Sequence, residues 1–142
     1  MQLRSATVSD LTSIEELLRV CSLPTAGVAE HLTHFVIAED SSGLLACGGI
    51  EYYERYALIR SIAVAECARS TGLGKAIISR LLAECRTRAV RSVGLLTTTA
   101  ENYFAALGFV SVARNDVPDA LLASSQFQGV CPGSATAMLM AC

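Results

Sequence analysis

The feature that most constrains the fold is an apolar strand, a glycine-containing turn and an amphipathic helix that follow one another in mid-chain. Residues 56–65 are almost continuously apolar, broken only by Arg60 and Ser61, and a strand that is apolar on both faces lies in the middle of a sheet. Residues 73–89 repeat apolar side chains at helical spacing, and residues 93–96 form the next strand. Because this order is a crossover unit, the two strands are predicted to be parallel.

The remaining segments place further strands and helices on either side of this unit. Before it, the pattern predicts a short first strand, an amphipathic helix that begins near Asp10, and a hairpin formed by residues 35–39 and 44–53. After it, a short helix that ends at Gly108 and two more strands complete the chain. The predicted fold class is therefore α/β (α+β), a mixed sheet with helices on both faces, in a single domain that covers residues 1–142.

Composition excludes several classes of protein. With 52% hydrophobic and 17% charged residues among 142, the chain is predicted to fold rather than to stay disordered. No apolar run reaches the roughly 18 residues that span a membrane, and no signal-peptide pattern opens the sequence, so we expect a cytoplasmic protein without a membrane partner. The net charge of −2 argues against nucleic-acid binding.

Cysteine and histidine spacing predicts no metal site, whereas the basic residues indicate an anion site. The six cysteines form no C-x-x-C pair and only two histidines are present, so no zinc pattern occurs. We expect most of the cysteines to be small buried apolar groups. Six of the eleven basic residues fall within residues 69–91, which indicates a local anion site. A solvated helix face is the alternative interpretation.

The turn before the basic helix has the properties of a phosphate-binding site. Residues 69–75 read RSTGLGK. A helix start leaves about four amide N–H groups unpaired and carries about half a positive charge, and glycines let a ligand approach the backbone. Two other phosphate loops fit less well: Arg69 and Ala76 replace essential residues of the nucleoside-triphosphate P-loop, and Ile77 replaces the third glycine of the dinucleotide fingerprint.

The pattern R/Q-x-x-G-x-G/A fits Arg69, Gly72 and Gly74 in full, and it resembles the acetyl-coenzyme A signature of the GNAT acetyltransferase superfamily. Residues 100–109, which end in Gly-Phe, are similar to a second motif of that family. The order of elements resembles the family from Leu3 to Met140. The resemblance implies an enzyme that transfers acetyl from acetyl-coenzyme A to an amine without a metal, acting as a monomer or homodimer.

A narrower resemblance concerns the C-terminal half. It is similar to the N-acetyltransferases of arsenic-resistance systems and to the acetyltransferase domains that make N-acetylglutamate. The residues that carry this resemblance are Thr97-Thr98-Thr99-Ala100, Asp116-Val117-Pro118, Phe127, Cys131-Pro132, Ser134-Ala135 and Met138. The similarity implies a small amino-acid-like acceptor, in a setting such as arsenic or xenobiotic resistance.

The family resemblance also implies a coenzyme-binding set. Backbone amides of residues 71–75 would hold the pyrophosphate, and the backbone of Ile62 and Val64 would pair with the pantetheine arm, which requires the sheet to splay open. The coenzyme-binding residues implied in this way are Ile62, Ala63, Val64, Arg69, Ser70, Thr71, Gly72, Leu73, Gly74, Lys75 and Phe104.

The proton carriers usual in the family are absent, because Leu58 and Phe104 stand where its acid and its tyrosine would be. We therefore predict that Glu51 deprotonates the acceptor, with an exposed strand-end acid as the alternative interpretation. Tyr103 is the candidate general acid, and half-buried packing is its alternative role.

The candidate acceptor-binding residues are Arg60 and Ser61. Arg60 is expected to share a strand face with Ile62 and Val64, from where a guanidinium could hold an acceptor carboxylate. A structural ion pair is the alternative role for Arg60.

Two further functions stay open at this point. The acceptor could be a protein N-terminus or lysine, or the chain could be a coenzyme A-binding sensor without activity, since both usual proton carriers are missing. If the chain is an enzyme, we expect direct transfer, because no cysteine is placed to suggest a covalent acetyl-enzyme.

Overall fold

The computed structural model describes residues 2–142, which divide into two compact units. Unit 1 comprises the chain up to Ile50 together with Arg60–Glu84, and unit 2 comprises Glu51–Ile59 and Cys85–Cys142. In the described residues, no helix is both long and apolar enough to cross a membrane. The strands and longer helices are β1 (Gln2–Ser5), α1 (Leu11–Val20), α2 (Val28–His31), β2 (Phe35–Asp40), β3 (Gly43–Tyr53), β4 (Tyr56–Val64), α3 (Leu73–Thr87), β5 (Ser92–Thr97), α4 (Glu101–Ala106), β6 (Val110–Val112) and β7 (Thr136–Ala141).

The seven strands form one mixed sheet in the order β1-β2-β3-β4-β5-β7-β6. Strands β4 and β5 are parallel, as the crossover through α3 predicts. The pairs β1–β2, β2–β3, β5–β7 and β6–β7 are antiparallel. The predicted mixed α/β sheet, with the apolar strand β4 at its centre, is therefore confirmed.

The parallel pairing of β4 with β5 is short. It runs from Tyr56 opposite Ser92 to Leu58 opposite Gly94, and no further pair follows among the described residues. Strand β5 itself pairs with β7 along its whole length. Residues 59–64 of β4 therefore lie outside this ladder, and the splay that the family resemblance implies here stays a prediction.

In unit 1, helices pack on both faces of the sheet. One face carries α1 and α2, whose side chains join the strands in a buried cluster that includes Ile14, Leu18, Val28, Phe35 and Cys47. Gly48, the next residue of β3, faces α3, because a Cβ atom there would lie 2.6 Å from side-chain atoms of both Ile62 and Ile77. Glycine at this position therefore lets α3 approach the sheet closely.

Unit 2 has a core of its own, which includes the segment between β6 and β7. Leu58 and Leu121 are fully buried in it, and the rings of Tyr53, Tyr56 and Phe127 pack against it. The sequence predicted no element for residues 114–135, and the structure forms only short turns there, at Arg114–Asp116, Asp119–Ala123 and Gln126–Val130.

The cysteines differ from the sequence-based expectation. All six are reduced thiols outside any disulfide; Cys47 and Cys85 are buried, Cys21 and Cys131 are half-buried, and Cys67 and Cys142 are exposed. The expectation that most are buried was wrong, because Cys67 lies in the turn after β4 and Cys142 follows the last strand. Burial raises the pKa of Cys47 to about 12, so this thiol stays protonated and is a poor nucleophile.

Candidate functional site

Residues 69–75, which the family resemblance predicts to bind the coenzyme and which we call the coenzyme turn, lie between β4 and the first turn of α3 in unit 1. Ser70 and Gly72 adopt positive φ angles of 65° and 83°, and a Cβ atom at Gly72 would meet nothing within 4 Å. Glycine is thus favoured at position 72 by backbone conformation and not by lack of space. The sharp reversal in this turn directs the chain into the first turn of α3.

The backbone amide groups of this turn are available to bind an anion. The first backbone hydrogen bond of α3 runs from the Ala76 N–H to the Gly72 carbonyl at 3.0 Å. Within the part of the chain that the structure describes, the amides of residues 71–75 have no backbone acceptor. Such groups at a helix start, with the positive end of the helix dipole, can bind a phosphate without any charged side chain.

The side chains of the coenzyme turn mainly fix its shape. Leu73 is 2% exposed and packs inside the unit. The Arg69 guanidinium donates through Nε to the Val64 carbonyl at 3.2 Å, and the Thr71 hydroxyl donates to the Ala68 carbonyl at 2.5 Å. Arg69 therefore ties the turn back to the end of β4.

Strand β4 carries an irregularity that corrects one prediction. Ser61 has a φ angle of 60°, an unusual conformation for a residue other than glycine. The Arg60 guanidinium reaches the carbonyl of Ala26, which precedes α2, whereas Ile62 contacts the α3 side of the sheet. The expectation that Arg60 and Ile62 share a strand face was therefore wrong, because the positive φ of Ser61 interrupts the alternation of side chains.

Arg60 carries a buried guanidinium that bonds to two groups of its own unit. Arg60 is 4% exposed. It donates from Nη2 to the Ala26 carbonyl at 2.6 Å and from Nε to the Ser61 hydroxyl at 3.0 Å. These bonds position the guanidinium and couple it to the irregular residue that follows it.

In unit 2, Glu51 is the centre of a buried group of polar side chains that we call the carboxylate network. Glu51 and Ser124 are both 0% exposed. The hydroxyls of Tyr53 and Ser124 each donate to Glu51 Oε1 at 2.6 Å. The Gln126 backbone N–H donates in turn to Ser124 Oγ at 3.1 Å. Glu51 is therefore not an exposed strand-end acid but a buried carboxylate with two short hydrogen bonds from hydroxyl groups.

The aromatic residues of α4 have different environments. Tyr103 is 43% exposed, and partial burial raises the pKa of its phenol, so the group remains a proton donor at neutral pH. Phe104 is buried and packs edge-on against Phe109, with 5.8 Å between ring centroids. Leu58 lies in the apolar core of unit 2. Neither position where the family has a proton carrier holds a polar group.

The structure brings some predicted residues together and assigns others to different units. The coenzyme turn, Arg60 and Ser61 belong to unit 1, and Glu51, Tyr103 and Phe104 belong to unit 2. In the described residues, no three His, Cys, Asp or Glu side chains are grouped to hold a metal ion.

Sequence reasoning missed Tyr53 and Ser124 as partners of Glu51. Tyr53 could have been found, because residues two apart on a strand share a face. Ser124 is 73 residues from Glu51 and follows a turn without a periodic pattern, so no local signal marks it.

Comparison with known proteins gives one family and several related chains. The sequence profile described as the acetyltransferase (GNAT) domain matches residues 31–111. An uncharacterised N-acetyltransferase of Chlorobaculum tepidum is 24% identical over 123 residues, covering 81% of this chain and 79% of the relative. The amino-acid acetyltransferase of Salmonella typhimurium is 26% identical over 129 residues, which are 83% of this chain but only 29% of that protein.

Among solved structures, N-acetylglutamate synthase of Neisseria gonorrhoeae, complexed with coenzyme A and N-acetyl-glutamate, is similar in fold. Its TM-score is 0.85 at 18% identity, and the match covers 99% of this chain and 34% of that one. At this identity the likeness concerns the fold. The present chain spans about a third of the length of that enzyme.

Proposed function

The chain belongs to the GNAT acetyltransferase family, and from this premise we propose that it transfers acetyl from acetyl-coenzyme A directly to the amine of a small amino-acid-like acceptor. Family membership confirms the prediction of an acyltransferase, and acetyl-coenzyme A is the cosubstrate that the family implies. The acceptor class, the site residues and the direct route are the proposed part.

The observation that carries the proposal is the row of amides in the coenzyme turn. Residues 71–75 offer N–H groups without backbone acceptors at the start of a 15-residue helix, which suits a pyrophosphate. The adjoining residues of β4, Ile62 to Val64, lie beyond the last pair of the β4–β5 ladder. Their backbone groups would bind the pantetheine arm as a further strand would.

The chemistry requires a neutral amine, an oxyanion donor and a protonated leaving group. Glu51 would remove the proton from the acceptor ammonium, since it is the only carboxylate in the carboxylate network. A backbone N–H of β4 would stabilise the tetrahedral oxyanion. Tyr103 would protonate the coenzyme A thiolate, because its raised phenol pKa keeps the proton available at neutral pH.

The acceptor would be held by Arg60 and Ser61. A guanidinium binds a carboxylate with two parallel hydrogen bonds, and Ser61 adds a hydroxyl next to it. The relatives named as amino-acid acetyltransferases support an acceptor with a carboxylate. The resemblance of residues such as Cys131-Pro132 to arsenic-resistance enzymes supports including arsenic-containing and phosphinate analogues of glutamate among the candidates.

The test is a coenzyme A release assay with purified protein across the standard amino acids, their decarboxylated amines, and glutamate analogues that carry phosphinate or arsenic groups. We expect turnover of one or a few amino acids and slower turnover of the matching amines. Mass spectrometry of the product should show one added acetyl group on the amine.

Two other outcomes would replace the proposal. Acetylation of a peptide N-terminus or lysine, but of no free amino acid, would indicate a protein acetyltransferase. Calorimetric binding of acetyl-coenzyme A without turnover of any acceptor would indicate a coenzyme A-binding sensor, for which the apolar residues at positions 58 and 104 give a structural reason.

A further inference from the structure

The carboxylate network has a property that the proposed base alone does not explain. Glu51 is 0% exposed, so its carboxylate is shielded from an acceptor that arrives from solvent. A general base must lie within hydrogen-bond reach of the proton it removes, directly or through one bridging group. A bridging group is therefore required between Glu51 and the acceptor.

Two hydroxyls donate to Glu51 Oε1, and they differ in access. Ser124 is itself 0% exposed, and its oxygen already accepts the Gln126 N–H. This bond directs the Ser124 proton towards Glu51 and makes the serine a fixed part of the network. Tyr53 is half-buried, so of the two donors it is the residue that retains surface open to solvent.

The sequence position of Tyr53 explains why it reaches Glu51. The two residues are two apart on β3, so both side chains leave the same face of the strand. The Tyr53 ring packs against the apolar core of unit 2, which limits the directions that its hydroxyl can take. A rigid ring with its oxygen 2.6 Å from the carboxylate holds a proton path in place.

We propose that Tyr53 is a catalytic residue that relays the acceptor proton to Glu51, and that Ser124 is a positioning residue for that carboxylate. This inference rests on the proposed function. The acceptor ammonium gives a proton to the Tyr53 oxygen while the Tyr53 hydroxyl proton passes to Glu51 Oε1. One N–H bond and one O–H bond break, and two O–H bonds form.

The proton transfer conserves charge. The nitrogen keeps the electron pair of its broken bond and becomes a neutral amine, which can attack the thioester. Glu51 becomes a neutral carboxylic acid, and Tyr53 regains its hydroxyl without forming a tyrosinate. After the product leaves, the Glu51 proton returns to solvent along the same two oxygens.

The experiment compares Tyr53→Phe, Glu51→Gln and the double variant, with the amino acid of the panel that is acetylated fastest. Tyr53→Phe should lower kcat about 10- to 100-fold, at or below the lower end of the usual effect of an acid or base, with unchanged acetyl-coenzyme A affinity. Because both residues act in one path, the double variant should be no slower than Glu51→Gln.

A matched control separates the relay from packing. Tyr56 packs against the same core cluster as Tyr53, so Tyr56→Phe removes a hydroxyl from the same surroundings and should keep the parent kcat. Parent-like activity of Tyr53→Phe would overturn the relay, as would a Tyr53→Phe loss that persists in the Glu51→Gln background. If Glu51→Gln itself has the parent rate, the base in the proposed function fails instead.

A second measurement needs no variant. In mixtures of H₂O and D₂O, kcat/KM should depend on the deuterium fraction along a curve, because two protons move in the step. A straight line, which indicates a single proton in motion, would contradict the relay even if Tyr53→Phe proved too unstable to assay.

Discussion

The coenzyme turn of unit 1 and the carboxylate network of unit 2 use opposite means to present polar groups. The turn is mostly exposed apart from Leu73, it is built from consecutive residues, and the groups it offers are backbone amides. The network is fully buried at Glu51 and Ser124 and joins side chains 73 residues apart. A site made of backbone tolerates most side-chain changes, whereas a buried network depends on each of its members.

The two regions also differ in what holds them. Positive φ angles and local bonds shape the turn, as in the bond from Arg69 to the Val64 carbonyl. The network is held by the apolar core around Leu121 and by a chain of three hydrogen bonds. We therefore expect substitutions in the turn to change ligand affinity, and substitutions in the network to change catalysis and stability together.

The largest effect is expected from blocking the turn backbone. Gly74→Val places a branched side chain where a pyrophosphate would lie, and acetyl-coenzyme A should bind at least about 100-fold more weakly, or about 2.8 kcal/mol. The fold should remain, since valine has a higher helix propensity than glycine. Calorimetry measures the affinity, and circular dichroism checks the fold.

Lys75→Met is the matched comparison in the same turn. It removes an exposed charge but leaves the backbone open, so the loss should stay below about 10-fold. If Gly74→Val binds acetyl-coenzyme A as the parent does, or if Lys75→Met loses more, the backbone role of the turn is wrong.

The next effect concerns Arg60, which either binds the acceptor carboxylate or has a structural role only. As an acceptor ligand, Arg60 contributes a charged hydrogen bond of about 1.5–3 kcal/mol, so Arg60→Met should lower kcat/KM for amino acids by about one to two decades. The decarboxylated amines should be affected much less. Measuring both substrates with the same variant controls for damage to the fold. Equal losses on both would show that Arg60 is purely structural, a role that its bond to the Ala26 carbonyl also favours.

Stability should respond to the loss of one hydroxyl in the network. Ser124→Ala removes a donor from Glu51 and leaves the Gln126 N–H without its acceptor, so the free energy of unfolding should fall by about 1–3 kcal/mol. The neighbouring Ser125→Ala should change it by less than about 0.5 kcal/mol. Urea unfolding measures both, and equal small changes would show that the network adds nothing to stability.

The smallest effect is expected at an exposed ion-pair group in unit 1, where Arg4 bonds to Asp10 and Glu39. Hydrogen bonds from Arg4 lower the pKa of Asp10 from 3.8 to about 2. Because the folded-state pKa is depressed, this stabilisation is present above about pH 4 and is lost as the pH falls towards 2. Its size should be about 1 kcal/mol or less, since such pairs are screened by solvent.

The measurement is the free energy of unfolding at pH 6 and at pH 3. Asp10→Asn should reduce the difference between the two values, because the substituted amide does not titrate. An unchanged difference would assign the acid sensitivity to other carboxyl groups.

Much of the fold was predictable because its signals are local. The apolar strand β4, the basic helix α3 and the parallel pair that they imply follow from hydrophobic periodicity and crossover geometry. The segment of residues 114–135 was not predictable, because it is held by tertiary hydrogen bonds. Arg114, for example, donates to the Pro132 and Ala135 carbonyls.

By itself, the sequence determined the mixed sheet, the glycine-containing turn before α3 and the enzyme family, since each depends on residues that are neighbours along the chain. Only the tertiary structure decided that Glu51 is buried, that Tyr53 and Ser124 bond to it, and that Arg60 and Ile62 face opposite sides of β4. These facts depend on long-range contacts and on the positive φ angle of Ser61. Serine rarely adopts this conformation, so the sequence does not indicate it there. Burial and hydrogen-bond partners are properties of the folded chain, and local patterns do not contain them.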